Sequence, residues 1–491
     1  MIGGRKRTEV SVMRNIVSAM LTVVILLGGS VPARTEERQA SDCPNATTVE
    51  RADNATTVER ADIQVAASTP ERAYAYPYRD PYLATMMAAA LNPTGVTPGL
   101  KRHVVHVPVL PGRNQFPSLE GRGQVSVALY RQSGPAPLLF IVGGIGSSPY
   151  FGLGSYFAAL FHREGFHVVI LPSPMNWNFA LAASRSGVPG YVPDDARDLY
   201  DVMQKTRDVL TDRYRLEITG IDYLGASLGA LEGAYVSVID ADQRKIGIDR
   251  YLLIDPPLDL TYALKKLDRW EALERTFGKD RAERLGGAAL AIVQSYSAQT
   301  ASAQTVDDRT AIARMARRFS CFTTEELQFL ISEYVQTTVP ELVYVTQAIH
   351  DQHLLTIPPD RVTDRLEQAK AFTLADYTEK IVMPSLMRRA SLQTDDVERL
   401  SDGGSLTAIL DRLRDDPRVY IMYNADDVLA DPGSINDLKA AMGDHMIVYP
   451  FGGHLGNLWY GRNKDAILAV FGSPTPAQRA GGEGMAIATR P

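Results

Sequence analysis

TGIDYLGASLGALEGAY, residues 219–235, decides how this chain is read. An apolar run, Ile218, Ile221, Tyr223 and Leu224, ends in Gly225-Ala226-Ser227-Leu228-Gly229. Leu228, Leu231 and Tyr235 then recur at helical spacing, with Ala230 and Gly233 close to the turn. A serine between two glycines at that junction fits a sharp strand-to-helix turn, where the two backbones approach closely and the hydroxyl is lifted clear of the sheet. The pattern marks Ser227 as a candidate nucleophile. A surface glycine-serine turn would show the same five residues without the flanking apolar periodicities.

The elements before this stretch set its context. His103 to Val109 and Gln124 to Tyr130 alternate like two antiparallel strands, whereas Leu138 to Val142 and His167 to Leu171 are continuous apolar runs of the kind buried on both faces of a parallel sheet. Tyr150 to Arg163 and Asp194 to Leu210 read as helices between strands, and Arg250 to Ile254 as a further short strand. The alternation predicts an α/β fold with a mostly parallel, doubly wound sheet.

After Pro256-Pro257 the pattern changes to helices without strands. Leu260, Leu264, Leu267, Leu273 and Phe277 recur near helical spacing; Thr323 and Glu326 form a capping box; Pro340 stands where a helix can begin; Leu374 to Met383 and Leu406 to Leu413 add more. Residues 258–417 are too many for a loop, so a helical cap inserted over the sheet's carboxyl edge is expected. Strands resume at Arg418 to Tyr423 and His445 to Tyr449, with a helix around Ile435 to Met442 between them. Each strand is followed by chemistry-bearing residues: Asp426-Asp427 after the first, Gly452-Gly453-His454 after the second. A serine hydroxyl needs an imidazole to take its proton, and the imidazole needs a carboxylate to fix its tautomer and stabilise its charged form.

The elbow at Gly225 to Gly229, the Asp426-Asp427 turn and the Gly452-Gly453-His454 loop, in that order, resemble the α/β-hydrolase superfamily over residues of about 100 to 473. The resemblance implies a triad of Ser227, an aspartate and His454, and a helical lid where the insertion lies. Asp427 is the favoured acid, since an acid followed by one variable residue and an apolar pair matches Asp427-Val428-Leu429-Ala430; Asp426 stays open. Val142-Gly143-Gly144-Ile145-Gly146 matches the family's oxyanion loop, with Gly143 where a histidine usually stands. It implies an oxyanion hole of the Leu228 and Ile145 backbone N–H groups, with Gly144 as the alternative to Ile145.

The ends of the chain carry different signals. A basic front (Arg5, Lys6, Arg7 and Arg14), an apolar run from Ile16 to Leu27 and small residues at Val31 and Ala33 read as a signal peptide over residues 1–33. The alternative is an uncleaved anchor. Its loss would take four basic groups and one acidic group, turning a formal charge of −6 into −9, which excludes the basic footprint of nucleic-acid binders. Export, most simply to a periplasm, is the expectation, with secretion beyond the envelope left open. Two tandem copies of NATTVERAD, residues 45–53 and 54–62, lie in a segment, 34–75, expected to be a flexible linker. Residues 474–491 are an expected disordered tail, leaving 76–473 as the hydrolase domain. Two cysteines, Cys43 and Cys321, cannot make a disulfide framework, and whether they pair stays open.

Other residues have plainer readings. His350 and His353 sit three apart on an expected cap helix, without a nearby glutamate motif to make a metal site. His103, His106, His162, His167 and His445 read as structural histidines. Ser147 and Ser148 suit a turn, and Trp459 and Tyr460 suit packing. No phosphate-binding loop, dinucleotide fingerprint or zinc-ligand spacing is present, so no cofactor and no metal are expected.

The function expected is that of an exported serine hydrolase cleaving carboxylic esters, small or lipid-like, through an acyl-enzyme. Amide, thioester or acyl-transfer chemistry uses the same triad, and a catalytically silent binding protein of the same fold is the alternative. Contact with a membrane surface and the oligomeric state stay open.

Overall fold

The computed structural model describes residues 73–91, 100–113, 119, 122–300, 309–390 and 403–472. The expected signal peptide, the tandem repeat, Cys43 and the tail from 474 lie outside the described residues. Among the described residues, no helix is long and apolar enough to cross a membrane.

Eight strands form one sheet: β1 (His103–Val107), β2 (Val125–Tyr130), β3 (Ala136–Val142), β4 (His167–Leu171), β5 (Ile218–Ala226), β6 (Arg250–Ile254), β7 (Val419–Asn424) and β8 (Met446–Tyr449). Their spatial order is β1-β2-β4-β3-β5-β6-β7-β8. β2 pairs antiparallel with both β1 and β4, and every other pairing is parallel.

The continuous apolar runs are explained by the two-residue period of a strand, which sends neighbours to opposite faces. In β3, Leu138, Phe140 and Val142 enter one core and Leu139 and Ile141 the other; in β4, Val169 and Leu171 oppose Val168 and Ile170. Helices cover both faces. The helices Val192–Asp212 and Leu228–Gln243 bury side chains in the first core, and Leu153–Arg163 and Gly461–Phe471 in the second, where the Phe161 and Phe471 rings meet edge to face at 5.3 Å.

Between β6 and β7 runs the helical insertion. Thr323 and Glu326 make the reciprocal capping box: the Thr323 hydroxyl accepts from the Glu326 N–H at 3.2 Å, and the Glu326 carboxylate accepts from the Thr323 N–H at 2.9 Å. Pro340 lies in the first turn of Val339–Ile349. Within the insertion, Lys279–Thr300, Arg309–Phe319 and Val362–Ala369 escape the sequence reading. Lys279–Thr300 carries Gly286-Gly287 within it, which breaks its helical pattern, whereas Arg309–Phe319 buries Ala311, Ile312, Met315, Ala316 and Phe319 at regular helical spacing, a stripe that was legible and was not read. The expected Leu374–Met383 helix divides into Leu374–Tyr377, a single π turn over Thr378–Val382, and Met383–Ala390. The expected helical pair His350 and His353 is corrected. The helix ends at Ile349, His350 is its extended C-cap, and His353 follows with φ +60°. Their ring nitrogens lie against different partners, the Ser186 carbonyl (2.7 Å) and the Asp351 carboxylate (3.5 Å).

The linker expected through residue 75 also ends earlier, because Tyr74 is 1% exposed. Tyr74 and Tyr76 are large enough to offset the entropy of ordering this segment. The Tyr74 hydroxyl donates to Asn463 Oδ1 at 2.6 Å and accepts from Asn457 Nδ2 at 3.0 Å; its ring lies 5.0 Å from that of Tyr449. Tyr76 donates to the Gly456 carbonyl at 3.0 Å. The short helix Pro81–Met86 follows, started by Asp80, whose carboxylate accepts from the Leu83 N–H at 2.8 Å. It presses so closely on the loop after β8 that a Cβ at Gly456 would run into the Ala84 carbonyl. Backbone cannot yield as a flexible side chain can, so Gly456→Ala is expected to destabilise the protein by about 2–3 kcal/mol, read as a lower urea midpoint at unchanged slope.

Candidate active site

The carboxyl ends of β5, β6, β7 and β8 lie side by side, in register from Ala226 to Ile254 to Met422 and from Asn424 to Tyr449. Each strand delivers one side chain to the same place: Ser227, Asp255, Asp427 and His454.

Ser227 starts the helix Leu228–Gln243 with φ +54° and ψ −125°, a conformation non-glycine residues rarely adopt. The flanking glycines are required by proximity. A Cβ at Gly225 would overlap the Gly229 carbonyl, and one at Gly229 would come within 2.5 Å of the Val142 and Gly143 carbonyl oxygens. The turn is tied to the sheet by the Ser227 N–H, which donates to the Ile254 carbonyl at 2.9 Å.

His454 follows Gly453, whose φ is +55°. Its Nε2 lies 2.9 Å from Ser227 Oγ and its Nδ1 lies 2.9 Å from Asp427 Oδ2. Its backbone N–H donates to the Thr85 hydroxyl at 2.9 Å, so the N-terminal helix holds the imidazole's main chain directly. Asp427 Oδ1 accepts from the Leu429 N–H at 2.8 Å. Burial alone would lower the affinity of His454 for a proton, but the adjacent Asp427 and Asp255 outweigh it and raise its pKa above the ordinary imidazole value.

The adjacent aspartates separate as their positions on the turn dictate. Asp427 meets the imidazole, whereas Asp426 Oδ1 accepts from the Gly453 N–H at 2.9 Å and Oδ2 has no partner among the described residues. Burial, partly offset by that N–H, pushes the Asp426 carboxyl up to about 7. Asp426 thus holds the histidine loop without touching the ring.

The loop after β3 passes over Ser227. A Cβ at Gly144 would stand 3.2 Å from Ser227 Cβ. No acceptor among the described residues takes the N–H of Leu228, Gly144 or Ile145, which leaves donors on both sides of the serine for a developing oxyanion. At Gly143, where the resembling family usually has histidine, the Ser147 side chain fills the space a Cβ would need. Ser148 Oγ accepts from the Tyr150 N–H at 3.3 Å, a turn contact. The helical insertion reaches this loop through Thr338, whose side chain lies against Gly146. Trp459 is buried, with its ring 5.7 Å from that of Tyr76. Two surface clefts, one lined by Tyr296 and Met315 and another by Val238 and Arg412, contain none of the site residues.

Asp255 is the residue the sequence reading missed. It directly follows β6, the strand beside the elbow strand, and an acid at such a position was the available signal. One oxygen from each of Asp255 and Asp427 and one ring nitrogen of His454 lie within 4.8 Å of one another.

The sheet order, the serine elbow between β5 and its helix, and the successive positions after β5, β7 and β8 define an α/β-hydrolase fold. The sequence matches no family model and no curated protein. Among solved structures it is similar to brefeldin A esterase, a bacterial homologue of human hormone sensitive lipase, at 13% identity over 85% of this chain and 90% of that one, with a TM-score of 0.39. It is also similar to an esterase of Pyrococcus furiosus, at 10% identity over 78% and 97%, with a TM-score of 0.36. A thermostable carboxylesterase from a metagenomic library, EstE1, is 18% identical over 38% of this chain, with a TM-score of 0.25, and the chain spans only 56% of its length. Likenesses this distant leave activity to be argued from the site.

Two expectations follow from the geometry. An imidazole must be neutral to take the Ser227 proton, so a raised His454 pKa places the acid limb of any Ser227-dependent rate above pH ~6.5, measurable as a pH–rate profile. Asp427→Asn is expected to lower such a rate by roughly 10³-fold or more, because an amide leaves the imidazole in the wrong tautomer. Asp426→Asn retains an acceptor for the Gly453 N–H, and a loss below about tenfold is expected. The reverse ranking would assign the acid to Asp426.

Proposed function

We propose that this protein is an exported serine hydrolase that cleaves carboxylic esters through an acyl-enzyme on Ser227. The observation that carries the reading is the continuous pair of 2.9 Å contacts from Ser227 Oγ through His454 to Asp427, made by residues from three different strand ends. Ser227 Oγ attacks the ester carbonyl while His454 Nε2 takes its proton. The carbonyl oxygen, now an alkoxide, is held by the Leu228 N–H and by that of Ile145 or Gly144, a donor of this kind being worth about 3 kcal/mol of barrier. Asp427 keeps the Nδ1 proton in place and balances the imidazolium. The proton taken from Ser227, now on Nε2, passes to the leaving alcohol, the C–O bond breaks, and a water activated by the same nitrogen releases the acid and restores Ser227.

A covering of helices rich in Leu, Phe, Met and Tyr favours a small or lipid-like acyl ester as the substrate class. No step in this sequence calls for a cofactor or metal. The basic-apolar-small order of residues 1–33 supports export, with a periplasm as the destination.

The test is mass spectrometry of the protein, residues 34–491, after reaction with a small fluorophosphonate. One adduct per chain on Ser227, lost in His454→Ala, is expected of an activated nucleophile. A folded protein that remains unlabelled, with the cap intact and with residues 258–417 deleted, would point instead to a silent binding protein of this fold.

A further inference from the structure

Three features outside the triad bear on the site: the buried Asp255, the N-terminal strap under the histidine loop, and the Thr338 contact on the loop after β3. Asp255 is the best determined. It is 0% exposed, and its backbone is held at φ +46°. Its carboxylate makes three contacts, all with donors. Oδ1 accepts from the Asn424 N–H at 3.1 Å; Oδ2 accepts from Asn424 Nδ2 at 3.1 Å and from the Leu455 N–H at 2.9 Å.

The last contact matters for His454. Leu455 is the next residue along the chain and has φ +62°, so the turn that aims the imidazole is a conformation unfavourable for leucine. A buried carboxylate pulling on its N–H compensates for that strain. Asn424 connects the other side: its Nδ2 also donates to the Gly453 carbonyl at 2.9 Å. Asp255 and Asn424 together therefore grip the residues immediately before and after His454.

We infer that Asp255 is a positioning residue for His454, acting through the Leu455 N–H and Asn424 and adding a second fixed negative charge beside the imidazole. The proposal rests on the serine-hydrolase reading of the site. It goes beyond the Ser227–His454–Asp427 arrangement, which assigns Asp255 no part. The groups facing His454 are Asp427 and Asp255; those facing Asp255 are Asp427, His454 and the buried Tyr423 phenol, whose hydroxyl donates to the Pro256 carbonyl at 2.8 Å. Burial first and the proximity of Asp427 second push the Asp255 carboxyl well above the ordinary carboxylate range, while His454 and the Leu455 and Asn424 N–H groups pull toward the charged form, and the geometry of its partners favours that form. All three hydrogen-bond partners being donors, the contacts suit a carboxylate and leave a protonated oxygen without an acceptor among them.

The experiment is the rate of fluorophosphonate labelling of Ser227 as a function of pH, for the wild type and for Asp255→Asn. Removing a negative charge lowers the proton affinity of His454. The acid limb should therefore move down by about 0.5 pH unit or more, with the plateau rate falling by about tenfold. A plateau loss with an unmoved limb would reduce Asp255 to a structural support and overturn the second charge. Wild-type labelling without any change in Asp255→Asn would overturn the whole inference. Absence of labelling in the wild type would instead sink the hydrolase reading, so the two failures are distinguishable. If Asp255→Asn does not fold, Asp255→Ser removes the charge with a smaller polar side chain, and the same shift is read.

Asp427→Asn gives an independent check that leaves Asp255 untouched. With Asp255 then the one carboxylate facing His454 among the described residues, the acid limb of residual labelling should stand higher in Asp427→Asn than in the double variant Asp255→Asn/Asp427→Asn. Coincident limbs in the single and double variants would show that Asp255 supplies no field at the ring.

Discussion

An imidazole held between a hydroxyl and a carboxylate, 2.9 Å from each, is the constraint on which the rest of this structure depends. His454 is only 9% exposed, so its orientation is set by protein contacts. The ring has Ser227 and Asp427. The main chain around it has Thr85 on its own N–H, Asp426 on the N–H before it and Asp255 on the N–H after it. Three separate segments thus converge on three consecutive amides, and a loop that would otherwise sample many conformations is left with one.

The sheet supplies the common platform. Because β5, β6, β7 and β8 are neighbours and parallel, their carboxyl ends open on the same edge, and residues one to five positions beyond the strands come within reach of each other. The site also concentrates unfavourable backbone. Ser227, Asp255 and Leu455 all have positive φ, and each such residue costs of order 1–3 kcal/mol. Each is anchored where the strain falls: Ser227 through its N–H to the Ile254 carbonyl, Asp255 through three donors, Leu455 through Asp255. The two buried cores on either face of the sheet provide the stability against which these local costs are set.

Strand and helix alternation was readable because its cause is local. Buried parallel strands need unbroken apolar runs, and the elbow needs glycines where backbones touch, so Leu138 to Val142, His167 to Leu171 and Gly225 to Gly229 announce themselves. Capping is local too, which made Thr323 to Glu326 legible. The strap at Tyr74 to Leu91 was not, because its contacts are with residues nearly four hundred positions away, Asn457 and Asn463. The end of the helix at Ile349 was also hidden, since nothing in His350-Asp351-Gln352-His353 forbids another turn.

By itself the sequence determined the order of the elements, the nucleophile-type turn at Ser227, and the presence of acids and a histidine just after the last two strands. Those features are dictated by periodicity, glycine sterics and the chemistry of side-chain types. Only the tertiary structure decided that Asp427 faces the imidazole while Asp426 takes the Gly453 N–H. Two adjacent residues on a turn have the same composition and neighbours, and differ only in the direction the turn gives them. The sequence showed Asp255 as an acid directly after a strand, but only the tertiary structure set it beside His454, because the pairing of β6 between β5 and β7 is a long-range event that no local pattern encodes.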